Sequence, residues 1–140
     1  MDIWDYFHRR EAEHKELSVY PERPVEEMFQ AEEGSDDTRG RIEGDLALSD
    51  TAHISVLERV VIRANGRPYR WRYAYYLIID GLEVGGEERH LTHNPPVHRH
   101  VGPKHERFRS DPIPFKTFVE RAWDEVSLRA EAPLDDLDDA

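Results

Sequence analysis

From Ile42 to Ile79 apolar residues recur at every second position, the period of a half-buried β-strand. Ile42, Gly44, Leu46 and Leu48 alternate with polar residues, and Ser49-Asp50-Thr51-Ala52 supplies a turn. Ile54, Val56, Val60 and Ile62 mark a second strand, with Glu58 interrupting its apolar face. Asn65-Gly66 predicts a type I′ hairpin turn, which needs positive φ at both central residues. A third strand over Tyr69 to Ile79 puts Tyr69, Trp71, Tyr73, Tyr75, Leu77 and Ile79 on one face, and Arg70, Arg72, Ala74, Tyr76 and Ile78 on the other. Asp80-Gly81 turns the chain into a fourth strand ending near His90, Pro95-Pro96 interrupts pairing, and Val97 to Val101 allows a short fifth.

The period then changes. Phe115, Phe118, Val119, Ala122, Trp123 and Val126 follow helical spacing, and a helix there can cover one face of the strands. At the other end Ile3, Trp4 and Phe7 give a short helical stripe. Pro21 and Pro24 break it, and a second short helix would bury Val25, Met28 and Phe29. Glu32 to Arg41 reads as a linker. The expected fold is α+β: an antiparallel meander of four to five strands, a C-terminal helix on one face and an N-terminal helical extension. The expected divisions are a helical extension and linker over 1–40, the main domain over 41–129, and a disordered acidic tail over 130–140.

Charge sharpens this picture. The 140 residues carry a net charge of −11, unevenly distributed. Residues 1–50 hold 15 acidic against 6 basic side chains, and residues 111–140 hold 9 against 3. Residues 51–110 reverse the balance, with 6 against 10, and local field matters more than net charge for a polyanionic substrate. No cysteine is present, which excludes thiolate metal sites and fits a reducing compartment. The N-terminus lacks a signal-peptide pattern, and no stretch approaches the ~20 apolar residues of a membrane span. A cytoplasmic protein with no membrane partner is expected.

The basic segment also holds five of the eight histidines: His90, His93, His98, His100 and His105. Imidazole titrates near neutrality, so such a cluster suits proton transfer, metal ligation or phosphate binding. In a metal-free ribonuclease, His98, His100 and His105 would move protons between the 2′-hydroxyl and the 5′-oxygen. Arg70, Arg72, Arg99, Lys104 and Arg107 would bind phosphate, and Tyr73 would offer a ring for stacking. In the alternative, His93, His98 and His100 would hold zinc or another divalent metal. A third reading is a non-catalytic surface that binds nucleic acid or protein.

Three runs add a resemblance. They are Leu46-Ala47-Leu48-Ser49-Asp50, Glu58-Arg59-Val60-Val61 and Arg70-Trp71-Arg72-Tyr73-Ala74-Tyr75-Tyr76. With His98-Arg99-His100-Val101-Gly102 they resemble, in order, the TumE-like toxins of prokaryotic toxin–antitoxin modules, over about residues 43–127. Thr51-Ala52 stands where that family has Gly-Ser, Tyr76 where it has histidine, and its Asp-Asn has no clean counterpart. The resemblance implies a small toxin neutralised by a helix-turn-helix antitoxin, with RNA as the expected target. Residues 1–40 lie outside it and suggest oligomerisation, as in a homodimer, or partner binding.

Overall fold

The computed structural model describes the backbone of residues 1–18, 25–102, 104 and 106–138, and side chains as far as Arg129. The Pro21 and Pro24 breaks and His105 lie outside the described residues. Helix α1 (Ile3–Leu17) leads, through a 3₁₀ turn (Val25–Met28), into seven strands. These are β1 (Phe29–Ala31), β2 (Arg39–Ala47), β3 (Ala52–Ile62), β4 (Pro68–Ile79), β5 (Leu82–Arg89), β6 (Val97–Val101) and β7 (Glu106–Arg109). Helix α2 (Phe115–Asp138) closes the chain. All strands form one antiparallel sheet in sequence order. The fold is α+β with more strands than expected: Phe29 opens β1 instead of extending a helix, and β7 follows the histidine strand. The helical backbone of α2 continues to Asp138, through the acidic stretch expected to be disordered. No helix among the described residues is long and apolar enough to cross a membrane.

Of the segment read as a linker, residues 32–38 form a hairpin loop between β1 and β2, and residues 39–41 already belong to β2. In the loop Asp36 and Asp37 both adopt positive φ, a conformation that Asp tolerates better than most residues. The tightest two-residue turn is Asp80-Gly81, with φ of 52° and 79°. At Asn65-Gly66 only Gly66 has positive φ, and the Gly66 amide donates to the Arg63 carbonyl at 2.8 Å. That is a type I turn followed by a left-handed glycine, a three-residue loop rather than type I′.

Both helices cover the same sheet face. On β3 that face carries Ala52, Ile54, Val56, Glu58, Val60 and Ile62, every one buried. Phe115, Phe118, Val119 and Ala122 of α2 cover one part of it, and Ile3, Tyr6 and Phe7 of α1 join the same core. α1 is thus part of the domain rather than an appendage. A reciprocal Asp2–Asp5 capping box starts it.

What docks α1 is polar. Glu58 is fully buried, accepts a 2.5 Å hydrogen bond from the Tyr6 hydroxyl, and pairs with the guanidinium of Arg10. Burial alone would raise the Glu58 pKa, but the Arg10 charge and the Tyr6 hydrogen bond hold it below the usual carboxylate range. Arg10 also lies 4.0 Å above the Phe115 ring, tying α1 to α2. One turn on, His14 is fully buried and stacked on Phe115 at 4.6 Å, with neither ring nitrogen hydrogen-bonded. Burial, aided by the Arg10 charge, pulls its pKa down to about 3.

Breaking one side of the buried pair leaves an uncompensated charge. Arg10→Met should therefore cost about 3–5 kcal/mol in urea unfolding, and the double variant Arg10→Met/Glu58→Leu should cost less than Arg10→Met alone. His14 predicts a pH effect as well. Its folded pKa lies below its unfolded value of about 6.5, so its contribution is complete above that pH and shrinks as pH falls toward 3. His14→Phe should flatten the stability–pH slope in that window by about 1.4 kcal/mol per unit. An unchanged slope would refute the assignment.

Candidate functional site

The histidine cluster is organised on the opposite sheet face. β6 pairs with β5 so that His98 faces Glu88 and His100 faces Gly86. β5 pairs with β4 so that Gly86 also faces Tyr76 and Glu88 faces Ala74. Cross-strand partners and every second residue share a face, so Tyr76, Glu88, His98 and His100 converge on the side away from the helices. Gly86 makes this possible: a Cβ there would stand 2.4 Å from Tyr76 Cδ1 and 2.7 Å from the Tyr75 carbonyl oxygen. The Tyr76 ring lies across the bare backbone, and its hydroxyl donates to Glu88 Oε2.

Three donor atoms meet. His98 Nε2 is 2.9 Å from His100 Nε2. Glu88 Oε2 is 3.8 Å from His98 Nε2 and 3.5 Å from His100 Nε2. His98 Nδ1 lies 2.8 Å from the Pro95 carbonyl, which can only accept, so Nδ1 carries the proton and the Nε2 lone pair faces the cluster. Donor atoms on a tetrahedral zinc, with bonds of about 2.0–2.1 Å, stand about 3.3 Å apart, a value the three separations bracket. The imidazole–carbonyl contact is the outer hydrogen bond that orients metal-ligating histidines.

Burial and charge oppose each other here. Glu88 is 2% exposed and His98 0%. Burial would raise the Glu88 pKa, yet the Tyr76 hydrogen bond, with the imidazoles of His98, His100 and His93 facing it, brings it below the ordinary value, keeping an ionised carboxylate. Burial lowers the pKa of His100 and His93, partly opposed by Glu88, which favours the neutral, lone-pair-bearing imidazole.

His93, in the His90–Pro96 loop, approaches Glu88 Oε1 at 3.1 Å and stacks on His90 at 3.9 Å. It stands on the far carboxylate oxygen, so the third donor beside His98 and His100 is Glu88, not His93. The other expected site residues divide. Arg72, half-exposed, shares the Tyr76 face and has a buried Nη1 without a hydrogen-bond partner. Arg107 pairs with His100 across β6–β7 and is exposed, as is Lys104 in the intervening turn. Arg99 lies on the α2 side, in a groove with Phe118 and Arg121. Arg70 and Tyr73 also belong to the α2 side. A bulge in β4 pairs Arg59 with Arg72 but Val60 with Arg70, making Trp71 the extra residue and reversing the alternation before it. Arg70 therefore donates to the Tyr75 hydroxyl at 2.7 Å, and Tyr73 is fully buried beneath it, so its ring offers no face to a base.

Sequence reasoning missed Glu88, which the register signals only once β5 and β6 are aligned. It placed Tyr76 on the face of Arg72 and as a departure from a family histidine, but gave it no role in the site. No protein-family model matches the chain, and no curated protein or solved structure shows significant similarity to it.

Tyr76→Phe should raise the Glu88 pKa by removing the hydrogen bond to its ionised form, as read by carboxyl carbon shifts in an NMR titration. Gly86→Ala should do the same by evicting the ring, and in addition cost about 1–3 kcal/mol of stability. A Glu88 titration identical to wild type in both variants would contradict this geometry.

Proposed function

We propose that the chain is a metal-dependent nuclease acting on RNA, the toxin of a cytoplasmic toxin–antitoxin pair, with Glu88, His98 and His100 as its metal ligands. The observation that carries this reading is the triangle of donor atoms around one point, with His98 fixed by the Pro95 carbonyl. In a metal-free mechanism two imidazoles would address the attacking and leaving oxygens on opposite sides of phosphorus. His98 and His100 hydrogen-bond to each other, which leaves no space for a phosphate between them. That contact favours the metal-dependent alternative over the metal-independent endoribonuclease.

A divalent ion bound there supplies Lewis acidity toward a phosphoryl oxygen and a water acidic enough to attack near neutral pH. The protein's own groups do the rest. Tyr76 holds Glu88 ionised, Arg72 and Arg107 offer guanidinium groups to phosphate oxygens, and His93 at the edge can exchange protons with solvent. RNA as substrate and a helix-turn-helix antitoxin as partner rest on the basic segment and on the TumE-like resemblance.

Zinc and manganese titrations followed by calorimetry should show one ion per chain, and His98→Ala/His100→Ala should weaken binding by about 100-fold or more. RNA cleavage should disappear with EDTA and return with metal. Cleavage undiminished after complete chelation would overturn the proposal in favour of proton transfer by His100. Salt-dependent RNA binding with no turnover would overturn it in favour of a binding module.

A further inference from the structure

The face that holds the histidine cluster also carries a row of arginines. Strand register sets Gln30 opposite Arg41, Arg41 opposite Arg59 and Arg59 opposite Arg72, on four consecutive strands. Cross-strand partners share a face, and this row shares the face of Tyr76 and His100. Neighbouring strands lie ~4.8 Å apart, so the three arginine positions span about 10 Å. Two residues along each strand, about 7 Å away, the next row is Leu57, Ala74, Glu88 and His98. The arginines therefore lead up to the metal-ligand cluster.

Like charges directly opposite each other destabilise a sheet, and the chain has 30 acidic residues with which to separate them. It does not use them here. Among the described residues no carboxylate pairs with Arg41, Arg59 or Arg72, and the Arg41 guanidinium donates to the Gln30 side-chain oxygen. A line of unneutralised cations suits a ligand that brings its own line of negative charge. The β4 bulge adds a ring. Trp71, the extra residue, borders an open groove of about 400 Å³ with Gln30, Arg41 and Arg59, and it lies outside the hydrophobic core. Among the described residues no aromatic ring or guanidinium stacks on it. The positive strip is narrow: Glu32 stands at the rim of the groove, and Glu43 and Asp45 occupy the β2 end of the next two rows. A duplex would set its second backbone over those carboxylates, whereas a single strand fits the strip.

We infer that single-stranded RNA crosses the sheet along this row, its phosphates held by Arg41, Arg59 and Arg72 and a base stacked on Trp71. Guanidinium groups match phosphate oxygens, and proteins hold single strands by combining such a cationic track with aromatic rings. An acidic protein segment would satisfy the charges but would bring no flat partner for the indole. The inference rests on RNA as the substrate of the proposed nuclease, and adds to it the route of the strand and a preference for unpaired RNA.

The test is fluorescence anisotropy with a labelled single-stranded RNA and EDTA-treated full-length protein, so that binding is read without metal-dependent cleavage. Arg41→Gln/Arg59→Gln should weaken binding about 10-fold or more and reduce the salt slope of log K by about 1.4, the share of two phosphate contacts on a single strand. Trp71→Leu should weaken it about 5-fold or more. Arg59→Gln removes two like-charge pairs, so its melting temperature at low salt should equal or exceed wild type. A clear fall would mark Arg59 as structural and overturn the inference. The same RNA annealed to its complement, and polyaspartate of equal length, should each bind about 10-fold more weakly or less. Equal affinity for the duplex or for polyaspartate would overturn the inference in favour of a paired substrate or an acidic protein partner. RNA binding that is lost in the arginine variant, with no cleavage after metal is restored, would uphold this surface and refute the nuclease. Metal-dependent cleavage with unchanged affinity in the arginine variant would do the reverse.

Discussion

A carboxylate buried at the centre of a sheet has to be neutralised by whatever packs on it, and Glu58 places that demand on the whole helical layer. It occupies the middle of β3 on the covered face, where five apolar neighbours define the core. Only a donor set from another element can satisfy it, and α1 brings Tyr6 and Arg10 together, one helical turn apart. Arg10 in turn rests on Phe115, so the position of α2 depends on the same contact. Removing a charge pair in favour of hydrophobic packing often costs a protein little, but leaving half of one buried costs much. The pair therefore specifies where the helix sits more than it adds to net stability.

The two sheet faces carry different electrostatics. On the helix side, the carboxylate is matched by Arg10 and the surplus of cations collects around the cavity at the start of α2. On the open side, one ionised carboxylate, Glu88, is surrounded by imidazoles and a phenol, the softer and more adjustable donors. The β4 bulge divides them. Were Trp71 paired in regular alternation instead of bulged out, Arg70 would join Arg72 on the open face, and the helix-side cavity would lose one of its four cations, Arg9, Arg10, Arg70 and Lys116.

The strand alternation of residues 42–79 and the helical spacing from Phe115 are strong periodic signals, and the meander and its covering helix were legible from them. So was the pairing of His98 and His100 on one face, since period 2 requires it. The N-terminal helix was underread because its buried face includes Arg10 and His14, which no hydrophobic pattern counts as core. Bulges leave no mark in a pattern of apolar residues, so Arg70 was assigned to the face of Arg72. Tyr73 was placed on the right face, with Tyr75 and Leu77, but the core closes that face to a substrate. Glu88 was hidden for a different reason. Carboxylates are abundant in this chain, and only the strand register distinguishes this one from its neighbour Glu87, which points the other way, toward Ser110 and Arg121.

Among the described residues strand order equals chain order, and the sheet is open at both borders because no later strand returns to close it. Open borders invite pairing between molecules, and this chain deals with each differently. At one border β1 is only three residues long, too short to template a stable ladder. At the other, β7 reads Glu-Arg-Phe-Arg and is exposed throughout, so an incoming strand would have to desolvate charged side chains along its length. The arginines placed beside the histidine cluster thus also guard the sheet against self-association.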